Sequence, residues 1–114
     1  MAQMIYDKNI LEMLSLFLLQ KGDLYAYEIM KQIHGLSGES LSVKGGSLYP
    51  ILYKLTEKGF ITDRVETVGK RQRMTRVYYH LTDPGRDYMR DLIRQNEFIQ
   101  NGIQNVFKNG GTDE

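Results

Sequence analysis

Apolar residues in the first part of the chain recur at helical spacing. Ile10, Leu11, Met13, Leu14, Phe17 and Leu18 fall three and four apart, which predicts an amphipathic helix over 8–21, stopped by Gly22. Asp23 is the type of side chain that caps a helix N-terminus. A second helix is therefore expected over 24–34, with Ile29, Met30 and Ile33 on its apolar face and Gly35 as its stop. The stretch 35–46 is polar and reads as loop. A third helix should start at Gly46 or Ser47 and end at Gly59, because Pro50 lacks an N–H and fits only within about the first turn. At about 100° per residue, Leu48, Ile51, Leu52 and Leu55 gather on one side of it. Tyr49, Pro50, Tyr53, Lys54 and Glu57 are left on the other.

The period then changes from helical to alternating. Over 60–67, Ile61, Val65 and Thr67 lie on one side and Thr62, Arg64 and Glu66 on the other; Val77, Tyr79 and Leu81 alternate in the same way with Arg76, Tyr78 and His80. Two strands joined by a basic tip around Gly69 make a hairpin. Thr82 can cap a last helix whose first turn accepts Asp83 and Pro84, and which is expected to reach Phe107. The expected fold is mainly α with a small β hairpin: a winged helix-turn-helix plus a C-terminal dimerisation helix. In those terms 1–82 form the winged helix-turn-helix, 83–108 the dimerisation helix and 109–114 a disordered tail.

Composition narrows the function without choosing it. The 114 residues suit one domain, and 25% charged with 11% aromatic residues is ordinary globular composition. Cysteine is absent, which excludes a disulfide framework, a thiolate metal site and a cysteine nucleophile. The longest apolar run, around 16–19, is too short to span a bilayer, so a soluble cytoplasmic protein is expected. The net charge of +1 is uninformative, but its distribution is not: 44–80 holds eight basic and three acidic residues, a local +5 that leaves −4 elsewhere. A basic middle is what central elements facing phosphates would show.

The motifs are more specific. SLYPILYKLTEKGFI at 47–61 resembles the recognition helix and strand entry of the PadR family of bacterial repressors. LYAYEI at 24–29 resembles that family's second-helix signature, and YYHLTDPG at 78–85 its wing exit and last-helix start. The resemblance covers about 9–107. It departs at Ala26, where the family usually has glycine, at Val77, often basic in relatives, and in a somewhat long tip at 68–75. It implies a sequence-specific transcriptional regulator, a repressor that binds a palindromic, inverted-repeat operator in double-stranded DNA as a homodimer and is released by a small ligand at the dimer interface or by another signal. The alternative is a winged-helix module that binds protein with the same face.

In such a fold the third helix enters the major groove and the hairpin reaches neighbouring backbone or minor groove. Ser47, Tyr49, Pro50 and Tyr53 are the candidate base readers, Lys54 is better placed for phosphate, and Lys44 belongs to the same DNA-binding footprint. The resemblance assigns Tyr25 and Tyr27 to the DNA backbone. Two positions apart on a helix separates them by about 200°, so one should be core and the other exposed. Lys70, Arg71 and Arg73 form the basic tip.

The last helix carries more apolar surface than a peripheral helix needs. Met89, Leu92, Ile93, Asn96, Ile99, Ile103 and Val106, with Leu11, Leu14 and Leu18 of the first helix, are the expected homodimer interface; Asn96 can set its register. One PadR subgroup stacks flat aromatic compounds on a tryptophan of the last helix, but this chain has no tryptophan and places Asn96 there. His34 and His80 have no companions for a metal site, and no catalytic motif is present. No cofactor, no metal and no enzyme activity are expected. His34 is read as serving a helix end.

Overall fold

The computed structural model describes residues 2–70 and 74–111. Helix α1, Lys8–Leu18, begins where Asp7 satisfies its first free amides: the carboxylate accepts from the N–H of Asn9 at 2.8 Å and of Ile10 at 3.2 Å. The helix ends earlier than the expected 21, because the chain tightens into a 3-10 turn, Leu19–Lys21, that tucks Leu19 into the core. A two-residue strand β1, Gln3–Met4, precedes α1. It pairs in parallel with β3, Leu41–Ser42, inside the stretch expected to be loop.

Asp23 does not cap the second helix. Leu24–Tyr25 form a short strand, β2, and helix α2 runs Ala26–Leu36, where the Glu28 side chain accepts from the Tyr25 N–H at 3.1 Å. Gly35 lies inside α2 rather than stopping it. The turn is made further on by Gly38 and Glu39, both at positive φ, and the His34 Nδ1–H donates to the Leu41 carbonyl at 3.0 Å.

Helix α3, Gly45–Glu57, buries Leu48, Ile51, Leu52 and Leu55 and no other side chain, as the helical spacing predicts. It starts one residue early, which puts Pro50 at the sixth position, beyond the first turn. The N–H that Pro50 lacks would have bonded the Gly46 carbonyl. Gly46 is exposed, so solvent reaches that carbonyl and the proline is tolerated. Gly59 then takes a left-handed φ of 78°, and the Phe60 N–H returns to the Leu55 carbonyl at 3.0 Å, turning the chain directly into a strand.

Strands β4, Ile61–Val68, and β5, Met74–Leu81, pair antiparallel in unbroken register, with β2 on the outer side of β5. Only the root of this hairpin is covered. Ile61 and Leu81 are buried, whereas Val65, on the same side of the alternation as Ile61, is 66% exposed because the strands run past the body of the domain. Arg71 and Arg73 lie outside the described residues.

Helix α4 spans Asp83–Asn109, two residues beyond the expected Phe107, with the Thr82 hydroxyl accepting from the Gly85 N–H at 3.1 Å. Its first turns belong to the core: Gly85, Met89 and Leu92 are buried, and Tyr88 stacks on Phe60 at 4.2 Å. The Tyr88 hydroxyl donates to the carboxyl of Glu12, a buried residue of α1, at 2.6 Å. Burial first, and then that hydrogen bond, pushes the Tyr88 phenol up to about 12. Every residue of 97–109 is exposed, so the rest of α4 leaves the domain as a bare rod, and the molecule measures 68 × 33 × 22 Å.

Gly85 is where α4 meets the backbone of the α3–β4 turn, and a methyl group there would overlap the Phe60 carbonyl. The neighbouring Thr82 hydroxyl donates to the Gly59 carbonyl at 2.7 Å and locks the same junction. Gly85→Ala is therefore expected to destabilise the fold at the upper end of the about 1–3 kcal/mol typical of overpacking. Thermal or urea unfolding checks this, with Gly102→Ala, which nothing crowds, as a control that keeps or raises stability.

Candidate nucleic-acid interface

The hydrophobic side of α3 fixes what the other side presents. Tyr49 and Tyr53 are 55% and 68% exposed, Pro50, Lys44 and Lys54 are exposed, and Ser47 is half-buried. Lys44 stands at the head of the helix and Lys70 at the described edge of the hairpin tip, both in solvent.

The two tyrosines around the start of α2 depart from expectation. Tyr25 is on a strand and not on the helix, so the 200° argument does not apply to it. It is half-buried, Tyr27 is 60% exposed, and their rings lie 6.5 Å apart and nearly parallel. Tyr25 also meets Tyr78 edge-on at 5.5 Å, and the Arg76 guanidinium sits 4.4 Å from its ring centroid. Arg64 lies over Tyr78 at 5.2 Å.

The register explains this cluster. Tyr25 is opposite Tyr78 and Tyr78 opposite Arg64; Arg76 is opposite Glu66, and His80 opposite Thr62. All of these side chains share one sheet face, because successive residues of a strand alternate. Arg64, Arg76, Tyr78 and His80 were absent from the sequence-derived candidates. The alternation of β4 and β5 was signal enough to place four of these side chains, Arg64, Glu66, Arg76 and Tyr78, together. It could not bring in Asp23, whose carboxylate receives Arg64 and, at 2.7 Å, the His80 Nδ1–H.

The expected dimer residues fall into two groups. Leu11, Met89 and Leu92 are buried within the chain and complete its own core, so they offer nothing to a partner. Leu14, Leu18, Ile93 and Asn96 are half-buried, while Ile99, Ile103 and Val106 are 57%, 39% and 67% exposed. A cleft of about 150 Å³ between α1 and α4 is bordered by Ile10, Met13, Asn96 and Ile99. Among the described residues no His, Cys, Asp and Glu side chains group as a metal site, and no helix is long and apolar enough to cross a membrane.

Residues 15–91 match the family described as Transcriptional regulator PadR-like family. The chain is 33% identical over 99 residues to the Negative transcriptional regulator PadR of Bacillus subtilis (strain 168), covering 87% of this chain and 53% of that protein. To the Transcriptional regulator YqjI of Escherichia coli (strain K12) it is 29% identical over 102 residues, 90% of this chain and 46% of that one. It thus spans about half the length of these curated relatives. The structure resembles a transcriptional regulator from Clostridium thermocellum with a TM-score of 0.75 at 28% identity, covering 86% of this chain and 90% of that chain. It also resembles Bacillus subtilis PadR in complex with operator DNA, with a TM-score of 0.66 at 36% identity, over 74% of this chain and 46% of that chain.

The Asp23 cluster predicts an acid sensitivity. Hydrogen bonds from His80 and then from Arg64 hold its carboxyl below the usual 3.8. Because the folded value is depressed, the contribution is fully present above about pH 3.8 and is lost as pH falls through the lower folded value. Asp23→Asn is expected to melt lower than the wild type near neutral pH, with the gap closing below pH 3.8. Parallel melting curves at all pH values would show that the cluster contributes nothing.

Proposed function

Because the chain belongs to the PadR-like family of transcriptional regulators, we propose that it binds double-stranded DNA as a homodimer and represses from an inverted-repeat operator. One observation carries the reading. The face of α3 opposite its buried leucines is solvent-exposed and carries Tyr49, Tyr53 and Lys54, and its Tyr49 borders one notch with Tyr25, Tyr27 and the hairpin residues Thr75 and Arg76. That is the placement a recognition helix needs: Ser47, Tyr49, Pro50 and Tyr53 meet base edges, Lys44 and Lys54 meet phosphates, and Lys70, with Arg71 and Arg73, follows the adjacent groove. At the start of α2 the exposed Tyr27 holds backbone through its hydroxyl, and the half-buried Tyr25 supports its neighbours without touching DNA. Negative control follows the described role of the Bacillus subtilis relative, and the operator follows the DNA in that relative's complex.

Helix α4 carries the dimer contact. Leu92, Ile99, Ile103 and Val106 fall on one helical face at three- to seven-residue intervals, and that face is covered by the chain's own core only as far as Leu92. A second copy of the same rod is the partner that continues the burial, dividing the chain into a DNA-binding part, 1–82, and a dimerising helix, 83–108. Asn96 borders the α1–α4 cleft, where a small inducer would bias the spacing of the two copies.

Ile99→Asp and Ile103→Asp are expected to convert a dimer to a monomer at micromolar concentration by placing an unpaired charge in the interface, without unfolding, since both side chains are exposed in the single chain. Sedimentation velocity decides it; dimeric variants would put the interface elsewhere. Selection of bound duplexes from a random pool is expected to yield one inverted repeat with half-site centres about 34 Å apart. Tyr49→Ala and Tyr53→Ala should then lose about 1–3 kcal/mol per base contact on the selected site and less on scrambled DNA. A pool that returns no enrichment would favour the protein-binding alternative.

A further inference from the structure

The three elements assigned above to DNA meet in one place. A notch of about 200 Å³ lies between the start of α2, the outer side of α3 and strand β5, bordered by Tyr25, Tyr27, Tyr49, Thr75 and Arg76. Among the described residues Arg76 is the only charged one that borders it. Its cross-strand neighbour Glu66 is turned instead to Arg64, 3.1 Å away, and Arg64 also takes Asp23. Among the described residues no carboxylate pairs with Arg76. Its guanidinium rests on the Tyr25 ring, and that ring is held in turn by the edge-on contact with Tyr78.

We propose that Arg76 is a positioned phosphate ligand: it holds one backbone phosphate of the bound duplex in this notch, aimed by the Tyr25 ring beneath it. The inference rests on the DNA-binding reading and adds to it a residue and a division of labour. A planar guanidinium forks onto two phosphate oxygens, and stacking on an aromatic ring limits the orientations it must give up on binding. The hydroxyl of Tyr27, on a ring that is 60% exposed, is a donor of the kind that completes a phosphate contact. The notch is recessed between elements, whereas the base-reading side chains project from α3, so Arg76 sets depth and register and does not read sequence.

The test uses the whole chain and a labelled mixed-sequence duplex, with affinity measured over a range of KCl concentrations. Arg76→Gln is expected to lower the slope of log K against log salt by about 0.9, the share of one phosphate, and Arg76→Lys to keep the slope. Tyr25→Leu should weaken binding roughly two- to fivefold, as loss of a partly exposed cation–π contact does, and Tyr25→Phe should not. In the Arg76→Gln background, Tyr25→Leu should add little further loss, because the ring acts through Arg76. Arg76 makes no hydrogen bond to the described fold, so unchanged melting temperatures are expected for its variants. An unchanged salt slope in Arg76→Gln, or additive losses in the double variant, overturns the proposal while leaving DNA binding intact. A wild type that binds the duplex without salt dependence likewise overturns the phosphate contact, and a wild type that binds no duplex overturns the DNA-binding reading itself.

Discussion

Four aliphatic side chains hold α3 against the rest of the domain, and the direction of every outward group depends on them. Leu48, Leu52 and Leu55 have no measurable exposure and Ile51 has 4%. Each contributes about 1.5–3 kcal/mol by leaving water. Rolling α3 by one position, about 100°, would expose part of that set and press tyrosine hydroxyls into the core without partners. Tyr49, Pro50, Tyr53 and Lys54 therefore face outward because the opposite side cannot. The same cluster roots the hairpin: Leu55 accepts the Phe60 N–H, and Ile61, one residue on, is buried beside it.

This explains why α3 was legible from residue spacing alone and the start of α2 was not. Both faces of α3 are written within thirteen consecutive residues. The role of Asp23 is written elsewhere, in Arg64 and His80, 41 and 57 positions along the chain. A local tendency to cap lost to partners that only the folded sheet brings near, and Tyr25 left the expected helix for a strand. β1 and β3 are two residues each, too short for any period to appear. In the hairpin the alternation was visible but not its depth: nothing in the sequence marks where β4 passes beyond the body, and Val65 is bare for that reason.

The long helix shows the same limit in another form. Its apolar stripe runs from Met89 to Val106, interrupted at Asn96, yet Leu92 is 6% exposed and Ile99 57%. The pattern gives one face and cannot say which turns are covered by α1. What marks the change is tertiary and polar: Tyr88 bonded to Glu12, with Gly85 against Phe60, pins the first turns of α4 to the domain. Candidate interface residues read from a stripe alone thus mixed core positions, Leu11, Met89 and Leu92, with positions that are bare in the single chain.

Charge repeats the lesson at the surface, where counting misleads more than position does. Arg64 and Arg76 stand on one sheet face within the same hairpin, and their chemistry differs because of what is already bound. Arg64 has taken both nearby carboxylates, Asp23 and Glu66, and its field is largely spent at short range. Arg76, left with an aromatic ring, keeps its charge for whatever enters the notch. Exposed charges beyond about 8 Å are screened at physiological salt. A ligand anion therefore feels the unpaired cations it touches, and the net +1 of the chain tells it almost nothing. The pairing of Arg64 is in this sense part of the interface, since it decides which arginine is left to meet a phosphate.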